Sequence, residues 1–128
     1  MTPIIAIELV IEIHDTIIHL TGGASGVDAG KLAGALARVE QQVCYNGLDD
    51  VFEIACWYAI AIAKSHGFID GNKRTALATM LTFLDIQGVT LHHNTGLDDM
   101  MVDVVESQLS HEVLAKYLAI YIQQFIID

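Results

Sequence analysis

The chain has 128 residues, of which 53% are hydrophobic, and it contains a single proline. This length and composition are typical of one compact domain with its own core, and they argue against a disordered chain. The formal net charge of −10 opposes nonspecific binding to polyanions, so we expect neither direct nucleic-acid binding nor membrane association.

The sequence offers no candidate for a membrane span or a signal peptide. The apolar run from Ala55 to Ala63 is far shorter than the roughly 20 residues that a spanning helix needs. The N-terminal segment has no basic region, and Glu8 and Glu12 interrupt it. Cys44 and Cys56 have no metal-binding spacing, and we expect both to be small buried thiols in a reducing compartment. The predicted location is therefore the cytoplasm.

The first predicted helix starts near the N-terminus, with Thr2 as candidate N-cap and Pro3 as first helical residue. The segment "IELVIEI" is rich in Ile and Val, which is also compatible with a strand. Its polar positions decide in favour of a helix, because they recur at intervals of four, three and four and so lie along one side of a helix. These positions are Glu8, Glu12, Asp15 and His19.

Breaks and caps divide the remaining chain into five more predicted helices. The break "TGGASG" precedes Asp28, a good N-cap, and the break "YNGLDD" ends in Asp50, which forms a capping box with Glu53. Gly88 is a stop signal for the fourth helix. The predicted ranges are about 29–44, 51–65, 72–87, 98–108 and 112–126. The sequence therefore predicts an all-α fold, a single domain over residues 1–128 with about six helices in a bundle.

The segment "KSHGFIDGNKRTAL" (64–77) contains three of the six Lys and Arg residues of the chain. Lys73 and Arg74 fall in the first turn of a predicted helix, where each cation is unfavourable by roughly 0.3–1 kcal/mol. A bound phosphate would reverse this penalty, with the free backbone N–H groups and the Asn72 amide as further donors. Gly71 allows the backbone to approach such a ligand closely. The segment is therefore predicted to bind an anion.

Two further side chains in this segment suit phosphoryl or nucleotidyl transfer. Asp70 is placed to hold Mg²⁺ together with phosphate oxygens, and His66 is suited to take a proton from an incoming hydroxyl. Phe68 is expected to point into the core. Each residue has a structural explanation by itself, such as a helix C-cap, a turn residue or a solvated surface. Those explanations do not account for three energetically costly choices in one loop.

The stretch "HGFIDGNKR", from His66 to Arg74, resembles the signature of the Fic/Doc family. In that signature His is followed by any residue, Phe, a variable residue, Asp or Glu, Gly or Ala, Asn, Gly or Lys, and Arg. The continuation "KRTAL" and the all-α pattern resemble Doc, the death-on-curing toxins of toxin–antitoxin modules. The likeness extends upstream through "GLDDVFEIACWYAIAIAKSHGF" and the "ALARVEQQV" helix.

The resemblance implies a role for each residue of the loop. His66 would be the general base that activates a target hydroxyl, and Asp70 would be the Mg²⁺ ligand. The other four would bind the phosphates of ATP or another nucleoside triphosphate: Gly71, Asn72, Lys73 and Arg74. It also implies a threonine of translation elongation factor Tu as target, with arrest of translation. Because no intramolecular inhibitory motif is found in the sequence, inhibition would come from a separate antitoxin.

Lys73 bears on which group is transferred. Fic proteins that transfer AMP have Gly at this position, whereas Doc-type proteins have Lys, which obstructs the AMP-transfer pose, so the resemblance favours transfer of the terminal phosphate. Gly71 is the Fic-like choice, where the best-known Doc has Ala, and AMP transfer therefore stays the alternative. A non-catalytic binding module is a third hypothesis. The family also has a flap beside the active-site loop that docks the target backbone by strand addition, and "YNGLDD" (45–50) is predicted to be this flap.

Other polar groups are assigned to surface or core. His14-Asp15 resembles half of a phosphohydrolase metal signature but is interpreted as a continuation of the polar face of the first helix. A pairing of His92-His93 with Asp98-Asp99 is interpreted as a solvated loop and not a metal cluster. Trp57 and Tyr58 are predicted to be core residues.

Lys31 and Arg38 lie seven residues apart on the second predicted helix, and so share a face. They are placed to hold a carboxylate, of the antitoxin or of the protein itself. A plain surface stripe is an equally good interpretation.

Overall fold

A computed structural model describes residues 4–127 of the chain, and these residues form a helical bundle. Isolated β-bridges join Val27 to Phe68 and Leu91 to Ile126, but no strand is present among the described residues. The all-α prediction is therefore confirmed. The elements in chain order are α1 (Ile7–Thr21), α2 (Ala29–Cys44), α3 (Val51–Ser65), α4 (Asn72–Ile86), α5 (Thr95–Glu106), α6 (His111–Ile122) and a 3₁₀ turn (Gln123–Phe125).

The first helix begins later than predicted. Thr2 and Pro3 lie outside the described residues, but residues 4–6 are not helical, and α1 starts at Ile7 with Ala6 as an extended N-cap. Ile5 explains the difference, because its side chain is buried and its N–H donates to the Tyr58 hydroxyl at 2.9 Å. This tertiary contact holds the segment extended against α3.

Side-chain caps define the starts of four other helices. Asp28 accepts a hydrogen bond from the Lys31 N–H, and Asp50 accepts one from the Glu53 N–H, as the sequence predicts. Asn94 and Ser110 cap α5 and α6, so these two helices begin slightly earlier than predicted. The last helix ends at Ile122 because residues 123–125 tighten into the 3₁₀ turn.

Helix α3 forms the centre of the bundle. All ten residues from Ile54 to Ala63 are buried, and the helix packs against α2, α4, α5 and α6. Trp57 and Tyr58 belong to this core, as predicted. A helix that is apolar on every side is stable only when neighbouring helices surround it. The packing of these helices around α3 therefore fixes the position of its C-terminal end at His66.

The segment beside the loop that follows α3 is residues 22–28, and not "YNGLDD". Residues 45–50 precede α3, and the 15 residues of this helix place them about 22 Å from His66. Residues 22–28, which we call the flanking loop, pair with the active-site loop instead. The Asp28 N–H donates to the Gly67 carbonyl at 2.6 Å, and the Ile69 N–H donates to the Gly26 carbonyl at 3.2 Å. The position assigned to the flap from sequence is therefore wrong.

The two cysteines differ in exposure. Cys56 lies inside α3 and is fully buried, whereas Cys44 at the end of α2 is exposed. The prediction of two buried thiols holds for Cys56 and is wrong for Cys44, because the last residue of α2 turns away from the core. Among the described helices, none combines the length and the apolar character that crossing a membrane requires.

Candidate active site

His66 ends α3 in an unusual backbone conformation. Its φ of 53° and ψ of 34° are left-handed, and within residues 4–127 it is the single residue other than glycine with positive φ. For a residue with a side chain this conformation costs roughly 1–2 kcal/mol, and such strain is concentrated at functional sites. The imidazole is exposed. The end of the buried helix therefore presents His66 to solvent at the start of the loop.

Asn72 and Phe68 close the loop upon itself. The Asn72 amide oxygen accepts from the Phe68 N–H at 3.1 Å, and its amide nitrogen donates to the Phe68 carbonyl at 2.9 Å. The Phe68 side chain is buried, as predicted. The Asn72 side chain therefore holds the loop in shape, and its backbone N–H is the group that lies at the helix start. The amide nitrogen has a second N–H beside the one that donates to Phe68, so the predicted contact between the Asn72 amide and an anion stays a prediction.

His14 supports the same loop from α1, a role that the sequence analysis missed. It is 1% exposed, its Nε2–H donates to the Asp70 carbonyl at 2.7 Å, and its ring stacks on Phe68 with centroids 3.8 Å apart. The interpretation of His14 as part of the exposed polar face is therefore wrong, whereas its neighbour Asp15 is exposed. The signal was present in the sequence, because His14 lies one turn after the buried Val10, on the apolar side of the helix.

The N-terminus of α4 is open. Gly71 is its N-cap, with a left-handed φ of 83°, and no side chain accepts a hydrogen bond from the first turn. The helix also has no acidic residue in that turn, whereas α2, α3, α5 and α6 each have a side-chain cap. The free N–H groups and the partial positive charge of the helix end therefore remain available to an anion.

Arg74 connects this helix start to the end of α1. Its Nη1 donates to the Thr21 hydroxyl and to the Gly22 carbonyl, the latter at 3.3 Å, while its Nη2 lies 3.6 Å from Asp70 Oδ1. The guanidinium is about two-fifths exposed. Arg74 is thus fixed in orientation while part of its donor edge faces solvent.

Lys73 is the second cation of the turn. It is exposed, and it forms no ion pair among residues 4–127. Together with Arg74 and Leu77 it lines one side of a small cavity of about 210 Å³, whose other side is formed by α5 residues including Asp98 and Met101. An unpaired ammonium beside free N–H groups favours a negatively charged ligand at this place.

The Asp70 carboxylate lies beside the open turn and is about half exposed. Its Oδ1 accepts from the Gly71 N–H at 2.8 Å, and its Oδ2 accepts from the Ala24 N–H of the flanking loop at 3.3 Å. No group of three or more His, Cys, Asp or Glu side chains suited to a metal occurs within the described part of the chain. The donor set therefore fits Mg²⁺ only as an ion shared with nucleotide phosphates and water, which is the way Mg²⁺ is usually held in phosphoryl-transfer sites.

Among the other sequence candidates, Asp98 lines the cavity beside Lys73 and Arg74, and the rest do not line it. His93 Nε2 is 3.2 Å from Asp98 Oδ1, and both side chains are exposed, which agrees with a solvated loop. Lys31 and Arg38 lie on α2 and line a separate cavity. The loop, α1 and the flanking loop together bring His66, Asp70, Lys73 and Arg74 to one end of the bundle.

Comparison with known proteins shows the family of the chain. The profile of the Fic/DOC family matches residues 4–84. The chain is 36% identical over 112 residues to the protein named "Protein kinase doc" of Escherichia phage P1, which covers 87% of this chain and 89% of the relative. It is 35% identical over 98 residues to "Toxin Doc" of Mycolicibacterium smegmatis, covering 72% of this chain and 74% of the relative. The chain belongs to the Fic/DOC family, and its similarity to these two proteins supports the Doc subgroup.

Proposed function

We propose that this chain is a Doc-type toxin that transfers the terminal phosphate of a Mg²⁺-bound nucleoside triphosphate, such as ATP, to a Ser or Thr hydroxyl of a protein. One observation carries the proposal: the α4 N-terminus has no side-chain cap and no acidic residue, yet places Lys73 and Arg74 in its first turn. Asp70 offsets part of the charge of Arg74 at 3.6 Å, but Lys73 has no ion-pair partner among the described residues, so bound phosphates would make the arrangement more favourable.

The donor nucleotide would bind through its phosphates. Three sources of positive charge lie in the first turn of α4: the backbone N–H groups, the Lys73 ammonium and the free donors of Arg74. Gly71 lets the phosphates approach the backbone, because any side chain there would extend toward Ile18 and Arg74 at 3.3–3.4 Å. Mg²⁺, when bound by Asp70 and the phosphates, would neutralise negative charge that develops on the transferred group.

The acceptor hydroxyl would be activated by His66. The hydroxyl oxygen attacks the terminal phosphorus, the bond from that phosphorus to the bridging oxygen breaks, and the nucleoside diphosphate leaves with the bridging oxygen. The hydroxyl proton passes to an imidazole nitrogen of His66. His66 ends α3 in a left-handed conformation with an exposed side chain, and His14 and Asn72 hold the loop that follows it in place.

Lys73 supports phosphate transfer over AMP transfer. Its side chain is exposed at the open turn, where AMP-transferring Fic proteins have Gly, and one similar protein is named a protein kinase. AMP transfer is the second candidate, because Gly71 leaves room in the turn. We also propose elongation factor Tu as the target and a separate antitoxin as the inhibitor, since the family resemblance implies both.

The test uses purified protein, Mg²⁺ and either γ-labelled or α-labelled ATP, with purified elongation factor Tu and with a bacterial cell extract. The γ label is expected to move to protein, on elongation factor Tu, and mass spectrometry should find phosphate on a threonine. Recovery of AMP adducts alone would establish the alternative activity and reject the kinase proposal.

Matched histidine variants separate catalysis from binding. His66→Ala should abolish label transfer and growth arrest while leaving the melting temperature close to wild type, because the side chain is exposed. His92→Ala removes another exposed histidine and should change neither label transfer nor growth arrest. Growth arrest that persists in His66→Ala without any modified protein would favour the non-catalytic binding module.

A further inference from the structure

A second cluster of positive charge lies away from the active-site loop. A cavity of about 370 Å³ is formed by α2, the end of α3 and the start of α6, and its charged lining residues are Lys31, Arg38 and Lys64, with His111 beside them. Three of the six Lys and Arg residues of the chain therefore line one cavity. Asp70, Lys73 and Arg74 do not line it.

None of these cations is neutralised by a neighbouring carboxylate. The ion pairs found among residues 4–127 involve other groups, and no acidic side chain lines the cavity. The nearest acidic residue on α6, Glu112, lines adjoining cavities and not this one. Lys64 is favoured by the C-terminal end of α3, whereas Lys31 and Arg38 form no ion pair among the described residues, so a bound anion would reduce the repulsion between the three cations.

The cavity has open space on its α2 side and a fixed cation on its α3 side. Gly30 and Gly34 form part of its wall on α2, and the position that a Cβ of Gly34 would occupy has no atom within 4 Å. Lys64 is held in place, because its Nζ donates to the Ser107 carbonyl at 2.7 Å. Arg38 contributes a planar fork of donors, which suits a phosphate better than an ammonium alone does.

The His111 ring forms part of the cavity wall. Its Nδ1 is shielded from solvent without a hydrogen-bond partner among the described residues, as are Thr75 Oγ1 and Thr79 Oγ1 elsewhere in the fold, and its ring contacts Trp57 edge to face with centroids 5.6 Å apart. The ring is therefore held in place and can report on charge in the cavity. The pKa of His111 is lowered, first by burial and then by Arg38 and Lys64, so both cations act electrostatically at this position.

We propose that the cavity between α2, α3 and α6 binds the phosphate group of a small molecule, as a second anion site separate from the nucleotide loop. Lys31, Arg38 and Lys64 supply the charge, and the His111 ring lines the same cavity. The volume is within the range of small-molecule sites, whereas the net charge of −10 opposes an extended polyanion.

The test titrates inorganic phosphate and pyrophosphate into the full chain without nucleotide, by calorimetry and by NMR of the His111 ring. Binding at millimolar phosphate is expected, together with a rise in the His111 pKa, because a bound anion favours the imidazolium. Arg38→Gln and Lys31→Gln should each weaken binding about tenfold or more, since each removes a charge-assisted hydrogen bond. AMP tested alongside shows whether a free or an esterified phosphate binds more tightly.

Two control variants make the result specific. Lys116→Gln removes one exposed cation outside this cavity and should leave phosphate binding unchanged. Arg74→Gln disables the nucleotide loop, which binds phosphate itself, so it should lower the number of phosphates bound in calorimetry but leave the response of the His111 ring to phosphate unchanged. A His111 response that is lost in Arg74→Gln but kept in Arg38→Gln would assign the anion to the nucleotide loop and overturn the proposal, as would the absence of any His111 response in the wild-type chain. Because Lys31 and Arg38 are exposed, equal melting temperatures can verify that both variants fold.

Discussion

The Nε2 atom of His14 and the carbonyl oxygen of Asp70 lie 2.7 Å apart, although 56 residues separate them in the chain. This hydrogen bond ties α1 to the residue that immediately precedes the open turn of α4. The same imidazole stacks on Phe68 at an interplanar angle of 7°. The buried His14 side chain thus contacts both the backbone of the active-site loop, at Asp70, and its buried side chain, Phe68.

His14→Ala should lower the free energy of unfolding by about 2–4 kcal/mol, because it leaves a cavity under Phe68 and an unpaired carbonyl. Label transfer from ATP should fall as well, since the loop loses its support. His14→Phe retains an aromatic ring but lacks the N–H that donates to the Asp70 carbonyl, and should lower the free energy of unfolding by about 1–3 kcal/mol. Urea unfolding measures the stability of both variants, with Glu12→Ala, at an exposed position of the same helix, as the control. Wild-type stability in His14→Ala would contradict this role.

Gly23→Ala should disturb the Asp70 carboxylate selectively. A Cβ at Gly23 would lie 2.6 Å from Asp70 Oδ2 and 2.9 Å from the Ile18 side chain, whereas one at Gly22 would have no atom within 4 Å. Both glycines have positive φ, so Gly22→Ala reproduces the backbone strain without the clash. The apparent affinity for Mg²⁺-nucleotide should fall about tenfold or more in Gly23→Ala and much less in Gly22→Ala. Equal losses in the two variants would show that strain alone is responsible.

The two cysteines should differ in reactivity toward a thiol reagent. Burial, and to a lesser extent the nearby Asp50 and Glu53, raise the pKa of Cys56 well above its usual range, so the thiolate is not accessible in the folded chain. Cys44 is exposed. Ellman's reagent should therefore titrate one thiol per chain in buffer and two in denaturant. Cys44→Ser should abolish the reaction in buffer, and rapid modification of that variant would disprove the burial of Cys56.

His111 should make the stability depend on pH in a defined direction. Its pKa in the folded chain is lowered from 6.5 by burial, with Arg38 and Lys64 contributing less. The unfolded chain then binds more protons than the folded chain between the two pKa values, so stability falls as the pH drops through 6.5 toward the folded pKa. His111→Gln should show a shallower loss of melting temperature over this range than wild type. His92→Gln, which changes an exposed histidine, should follow the wild-type curve, and identical curves for all three proteins would refute the prediction.

Local signals in the sequence were sufficient for most of the helices. Asp28, Asp50 and Gly88 mark helix ends through backbone chemistry that involves only nearby residues, and the structure has these ends where they were predicted. The start of α1 was mistaken because it depends on a hydrogen bond between Ile5 and Tyr58, which are 53 residues apart. No local pattern encodes that contact.

The candidate site was recognised from the composition of one loop, but its supports were not. The roles of His14 and of the flanking loop arise only when α1 packs beside α4 and when residues 26–28 pair with residues 67–69. The family pattern led to residues 45–50 as the flap. Chain order alone does not tell whether residues 22–28 or residues 45–50 lie beside the active-site loop. The two hydrogen bonds between the Asn72 side chain and Phe68 were likewise not predicted, because they depend on how the loop closes.

The flanking loop is joined to the active-site loop mainly through main-chain groups, at Asp28–Gly67 and Gly26–Ile69. Main-chain bonds of this kind do not depend on side-chain chemistry, except at Gly26, where a Cβ would lie 2.5 Å from the Ile69 side chain. Substitutions at outward-facing residues of the rim, other than glycine and without introducing proline, should therefore change the surface that a binding protein meets while the two loops stay joined.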